Sequence, residues 1–312
     1  MNKKDLLNNR NSLKNKLVNS EKLAGYLFIS PWLLGFLAFM IAPMIITLYY
    51  SFTSYNIVGS PVFIGWQNYV EIFDDPKFYT ALKVTFTYVF FSVPLRLSFA
   101  LVLAVIFNQA QKLTDFYRAV YYIPSILGGS VAVSVLWRQM FGYHGATNTI
   151  LMSLGLLEQP VSWIHTPDTA LWTLILMAVW QFGSPMIIFL AGLRQIPKSL
   201  YESASIDGAN WGQKFFQIII PLLTPVIFFN LIMQIIRLFM AFTRVYIITQ
   251  GGPIDRTLVY VLYLFRKAFR HTELGYASAL AWVLLIIMGV VTFIIFRSSK
   301  YWVFYQSEEG NN

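Results

Sequence analysis

The chain runs to 312 residues, of which 57% are hydrophobic, 17% aromatic and only 12% charged. Soluble domains carry roughly a quarter of their residues as charges, so a chain with about half that proportion has lipid for much of its solvent. The absence of cysteine excludes disulfides, thiolate metal sites and cysteine nucleophiles, and His144, His165 and His271 lie too far apart for metal-ligand spacing; the net charge of +9 suits the cytoplasmic loops of a membrane protein and gives little support to nucleic-acid binding.

Taken in chain order, residues 1–24 form a basic tail and residues 25–52 the first apolar run long enough to span a bilayer, which takes about 20 residues. That run is too long, and lacks the small-residue cleavage site, for a removable signal peptide. An external loop, 53–83, follows, in which Glu71, Asp74 and Asp75 beside Pro76 are expected to form a solvated turn. Further spans are predicted at 84–108, 119–141, 169–193, 218–248 and 274–297, with a polar connection at 194–217 and a tail at 298–312. This is an all-α, polytopic membrane protein with six transmembrane helices. "QGGP" at 250–253 marks a turn. The following "TLVYVLYLFRKAFR" is either a helix lying in the membrane interface, apolar on one face and basic on the other, or a simple extramembrane loop.

Orientation follows from lysine and arginine. Lys3, Lys4, Arg10, Lys14, Lys16, Lys22, Lys112, Arg118, Arg194, Lys198, Lys214, Arg297 and Lys300 fall on one side, against Lys77, Lys83, Arg256, Arg266, Lys267 and Arg270 on the other. The excess places both termini and the 194–217 connection in the cytoplasm.

Polar side chains inside spans are costly against lipid and normally face a cavity or a partner. Asn230, Gln234, Arg237 and Arg244 are spaced as one stripe along the fifth span and are expected to line a pathway or an interface with a companion subunit. Trp137, Trp180 and Tyr246 are candidate stacking platforms for a substrate, or else interface anchors. Arg96, two residues after Pro94, is expected to pair within the bundle. None of the arginines inside the spans has an acid within the six spans, so either a companion supplies carboxylates or the passage takes an anionic substrate.

The connection contains "YESASIDGANWGQKFFQIIIPLLTP", residues 201–225. Ser199 and Glu202 have capping-box spacing, predicting a short helix from about Leu200, and Gly208 suits the left-handed residue that ends it. Asn210 and Gln213 repeat the arrangement for a second helix. Leu200, Ala204 and Asp207 share one face, and the small Ser203 and Ala204 allow a partner to approach closely. A two-turn helix is marginal alone, so either it docks on something or it rests on its own helix ends.

This stretch resembles the EAA loop of permease subunits of bacterial binding-protein-dependent ABC importers, matching at Glu202, Ala204, Asp207, Gly208, Ala209, Phe215, Ile218 and Pro221, and departing mildly at Ser203 and Ile220. Other fragments in order along the chain, among them "VPLRLSFALVLAVIFN" and "YRAVYYIPSILGGSVAVSVLWRQMF", are similar to the carbohydrate branch near the maltose and glycerol-3-phosphate permeases. The resemblance implies the type I importer permease fold (MetI-like) and a non-catalytic subunit of the bacterial cytoplasmic membrane. It also implies that Leu200, Glu202, Ser203, Ala204, Asp207, Gly208 and Ala209 form the surface that couples to an ATPase. The implied partners are a second homologous permease, two cytoplasmic ABC ATPases, an extracytoplasmic solute-binding protein, membrane lipid and a sugar or oligosaccharide, neutral or uronate-bearing, whose rings Trp137, Trp180 and Tyr246 are candidates to stack on. The chain has no phosphate-cradling G-x-x-x-x-G-K-[ST] loop. ATP and Mg are therefore expected on the ATPase, with no cofactor bound by this chain. A membrane enzyme acting on lipid-linked sugars would need clustered acids or histidines at one face, and a secondary transporter would show inverted repeats and intramembrane acids.

Overall fold

The computed structural model describes residues 23–57, 59–109 and 114–304; the first 22 residues, Lys112 and the last eight residues lie outside the described residues, as does the Arg118 side chain. The protein is helical nearly throughout. Among the described residues four helices are long and apolar enough to cross a membrane alone, and the number is six if each of two bent pairs counts as one span.

The first, Leu23–Ser51, leaves its side chains largely exposed, and its last turns, from Ala42, run along the final helix, Leu274–Trp302. Beyond it the chain folds into a short antiparallel pair, Thr53–Ser54 with Val62–Phe63. The buried Asn68 amide pins this corner by donating to the carbonyls of Ser51 at 2.8 Å and Thr53 at 2.9 Å.

The predicted external loop 53–83 is more structured than expected. It holds a helix, Gln67–Asp74, and the start of the next helix, Pro76–Gln109, which begins well before residue 84. The cause is local. Asp75 Oδ1 accepts the Lys77 N–H at 2.8 Å, and proline at the first helical position sacrifices no hydrogen bond, so Asp-Pro is a start signal. At 34 residues the helix is about 51 Å long and projects beyond a ~30 Å hydrocarbon layer. It is the post around which the fourth and fifth spans pack. Ala81, Ala100, Ala104 and Ala178 are fully buried, small enough to let helices approach closely in lipid.

The third predicted span, 119–141, is not one rod. The helix Thr114–Leu127 ends in a bend, its part Val120–Leu127 meeting Val131–Met140 at 101°. Gly128 and Gly129 supply the corner, and Ser130 restarts the helix by accepting the Val133 N–H at 3.3 Å. The fourth, 169–193, also breaks, into Ala170–Trp180 and Gly183–Gln195 at 41°. The fifth, 218–248, is Ile220–Phe239 followed, after an interruption at 240–242, by Thr243–Ile248.

The segment after the "QGGP" turn is helical rather than a simple loop. Tyr260–Phe265 continues into a π turn, Arg266–Arg270, and its apolar face is covered by protein. Tyr260 is fully buried; its N–H donates to Thr85 Oγ1 at 2.7 Å and its hydroxyl to the Leu280 carbonyl at 2.9 Å. The last helix continues past residue 297 to Trp302, and the Phe304 N–H reaches Thr224 Oγ1 at 2.8 Å.

Candidate functional site

Three sets of polar residues remain once the packing is accounted for: the 194–217 connection, a group inside the bundle, and the opposite end.

Lys198–Ile206 forms the expected short helix, but its start differs from the capping-box reading. Pro197 occupies the N-cap position and no side chain caps the helix, so Ser199 lies inside the first turn rather than before it. The end is as the glycine suggests. Gly208 has φ +77°, the Ala209 N–H donates to the Ala204 carbonyl at 2.8 Å and the Gly208 N–H to the Ser205 carbonyl at 3.2 Å. This pair of bonds is a Schellman closure. The second helix starts on the reciprocal box that its spacing predicts: the Gln213 N–H donates to Asn210 Oδ1 at 2.9 Å and the Asn210 N–H to Gln213 Oε1 at 2.8 Å. Lys214 Nζ then donates to Ser205 Oγ at 2.7 Å, tying the two helices together.

This arrangement sorts the candidate docking residues by face. Leu200, Glu202, Ser203, Asp207 and Gly208 are exposed, whereas Ala204 and Ala209 are half-buried against the chain itself. Ala204 lies on the same helical face as Leu200 and Asp207 but is partly covered, so those two are its open members. Ile206, absent from the sequence-derived set, is 87% exposed at the helix end. A large aliphatic side chain so placed beside Glu202 and Asp207 makes an amphiphilic knob, and its position two residues before the helix-ending glycine was the available signal. Tyr201 turns inward; burial raises its hydroxyl above the ordinary tyrosine range, and the oxygen has no hydrogen-bond partner.

Within the bundle Arg96 is 4% exposed. It pairs as expected, though with backbone. The break in the fourth span frees the Gln181 carbonyl, which accepts from the Arg96 guanidinium and from Ser125 Oγ at 2.9 Å. Gln181 Nε2 donates to the Gly128 carbonyl at 2.7 Å, so both broken spans are stitched at one place. Unwound backbone is tolerated at membrane depth when neighbours satisfy it in this way.

The polar stripe of the fifth span is divided by the interruption at 240–242: Asn230, Gln234 and Arg237 lie on one helix and Arg244 on the next. Asn230 and Gln234 are 0% and 1% exposed, enclosed by the chain itself, with Asn230 Nδ2 and Oδ1 and Gln234 Oε1 unpaired. Arg237 is exposed and Arg244 half-buried, its Nη1 3.4 Å from the Tyr88 hydroxyl. Trp137 and Trp180 are brought together, with ring centroids 5.7 Å apart, and Tyr246 stacks on Phe242 at 5.3 Å. Val131–Met140 packs on Thr243–Ile248, so Trp137 and Tyr246 belong to adjoining elements.

At the opposite end the acidic group is no simple solvated turn. Glu71 and Asp74 are exposed, but Asp75 Oδ2 accepts from the Tyr263 and Tyr276 hydroxyls, the latter at 2.9 Å. Burial opposes its charge; the bonds from Tyr263, the Lys77 N–H and Tyr276, with nearby Lys267, outweigh it and hold the carboxyl below the usual value. Lys267 pairs with Glu273 at 2.7 Å, and Arg266 with Asp255 at 3.5 Å. No group of three or more metal-ligating side chains occurs among the described residues.

Known proteins share this architecture. The chain is 54% identical over 299 residues to the probable ABC transporter permease protein YesP of Bacillus subtilis, covering 95% of this chain and 96% of that one. It is 35% identical to the arabinooligosaccharides transport system permease protein AraP of the same organism, covering 91% and 90%. A chain in the crystal structure of a bacterial alginate ABC transporter, in complex with an alginate pentasaccharide-bound periplasmic protein, superposes with a TM-score of 0.80 at 22% identity, over 92% of this chain and 96% of that one. That likeness shows the overall fold alone. Residues 76–303, from the Asp-Pro helix start to the end of the last span, match the family model described as binding-protein-dependent transport system inner membrane component, and the chain belongs to that family.

Proposed function

We propose that this chain is one of two membrane subunits of an ATP-driven importer of oligosaccharides, and that work enters it through Lys198–Ile206. The observation that carries the reading is the outward face of that helix: Glu202, Ser203, Ile206 and Asp207 stand exposed on a segment closed at its end and tied to the next helix. Closure of two cytoplasmic ATPases on ATP would move this helix and its counterpart on a second permease together, tilting the spans as rigid bodies. The exposed apolar side chains of Leu23–Ser51 suit lipid and that second permease. An extracytoplasmic binding protein would deliver the sugar to the end that holds Asp75. ATP and Mg belong to the ATPases, and the basic bias of the connection supports a cytoplasmic position for it and for both termini. Relatives named for arabinooligosaccharide transport support a carbohydrate cargo.

The passage runs past Arg237, Arg244, Trp137, Trp180 and Tyr246, with Asn230 and Gln234 behind them. Among the described residues no carboxylate lies within 4 Å of Arg96, Arg237 or Arg244, which favours sugars that carry carboxylates. The test is uptake of labelled neutral and acidic oligosaccharides by the reconstituted complex. Arg237→Ala should abolish acidic uptake at normal membrane levels; undiminished uptake discards the acidic cargo. Ile206→Asp should release the ATPase, and retention at wild-type stoichiometry discards the coupling role.

A further inference from the structure

Behind the coupling helix lies a cleft of about 370 Å³ that the docking surface does not use. Val105 and Asn108 at the end of the long post form one wall, Leu193, Arg194 and Ile196 at the end of the fourth span the second, and Lys198, Tyr201, Trp211, Lys214 and Ile219 the third. Three cations line it and, among the described residues, no carboxylate does. Arg194 and Lys198 form no ion pair among the described residues, and Lys214 holds only the neutral Ser205 hydroxyl. Tyr201 brings a buried hydroxyl with no hydrogen-bond partner.

Like charges gathered without a counterion repel one another, and a buried hydroxyl left unpaired costs free energy. Both penalties are relieved by a multivalent oxyanion. Apart from the Asn108 amide the remaining walls are aliphatic, with the half-exposed Trp211 indole beside them. Aliphatic walls do nothing for a free ion but suit the glycerol and upper acyl carbons of a lipid, and tryptophan favours headgroup depth. We propose that this cleft binds the phosphate of an anionic phospholipid from the cytoplasmic leaflet, with Arg194, Lys198 and Lys214 on the phosphate oxygens and Tyr201 donating its hydroxyl. The lipid bridges the coupling helix to the ends of two spans and stiffens the joint through which work passes. The inference rests on the cytoplasmic placement of this end proposed above.

The test uses the complete transporter in nanodiscs of mixed phosphatidylcholine and phosphatidylglycerol, with retained lipid read by native mass spectrometry and ATP-driven uptake measured in parallel. Each basic residue near an anionic surface contributes about five-fold to affinity. Lys198→Gln with Lys214→Gln should therefore weaken phosphatidylglycerol retention roughly twenty-five-fold, while Lys198→Arg with Lys214→Arg retains it. Equal retention in all three proteins, or equal loss in both variants, overturns the site. Displacement of phosphatidylglycerol by millimolar inorganic phosphate overturns the lipid as its occupant. Uptake and ATPase retention that persist while lipid retention is indifferent to the substitutions overturn only the lipid site and leave the transport reading standing.

Discussion

The two ends of the Pro76–Gln109 post are held by opposite means. At the Gln109 end the bonds are local: Ala204 with Ala209, Asn210 with Gln213, Ser205 with Lys214. At the other end they join segments distant in sequence, Asp75 with Tyr263 and Tyr276, Thr85 with Tyr260, Tyr55 with Gly275. Local closure makes a unit that keeps its shape when displaced as a whole. Long-range bonding makes an end that resists displacement, because any shift breaks several contacts at once. On the coupling role proposed above, the first end would be the lever and the second its anchorage.

The largest effect that would test the contrast lies at the anchorage. A Cβ on Gly275 would sit 2.0 Å from the Thr53 carbonyl oxygen, so backbone must move. Gly275→Val should cost about 3 kcal/mol, read as a lowered thermal midpoint in detergent with ATPase docking intact at permissive temperature. Gly208→Val reverses the pattern. Nothing crowds that Cβ, but φ +77° costs a β-branched residue about 1–2 kcal/mol. ATPase retention should fall roughly ten-fold while the thermal midpoint barely moves; equal shifts in both measures would erase the distinction.

Asp75→Asn should remove about 1–2 kcal/mol after allowance for screening at a half-buried carboxylate. Because the folded carboxyl ionises below its ordinary value, this stabilisation is complete above the unfolded pKa of 3.8 and is lost as pH falls through the lower folded value. The gap in unfolding temperature between wild type and Asp75→Asn should therefore be constant near neutrality and close only below about pH 4. The smallest effect is at Asn210, where alanine removes one cap at about 1 kcal/mol and should weaken ATPase retention only several-fold.

What the sequence discloses follows the same division. Gly208 and the Asn210–Gln213 box were legible because their partners lie within five residues. The Ser199–Glu202 spacing misled, since the chain enters that helix through Pro197 and needs no side-chain cap there. Asp75 read as a solvated turn because its tyrosine partners are 188 and 201 residues away, although Asp-Pro at a helix start was a readable local sign. The breaks at Gly128–Gly129 and Gln181 were hidden by hydropathy, which averages over a bend. Arg96 was visible as a buried cation, but its backbone acceptor exists only because another helix unwinds.

The Gln181 carbonyl has already left its helical ladder and is held from outside by Arg96 and Ser125. Changing the angle between the halves of the fourth span therefore breaks no rung of either half. Its lower half, Gly183–Gln195, leads through only Ile196 and Pro197 into Lys198–Ile206. On the coupling role proposed above, the chain would carry an articulation one short rod away from the point where force enters, restrained by the Arg96 and Ser125 bonds rather than by a helical ladder.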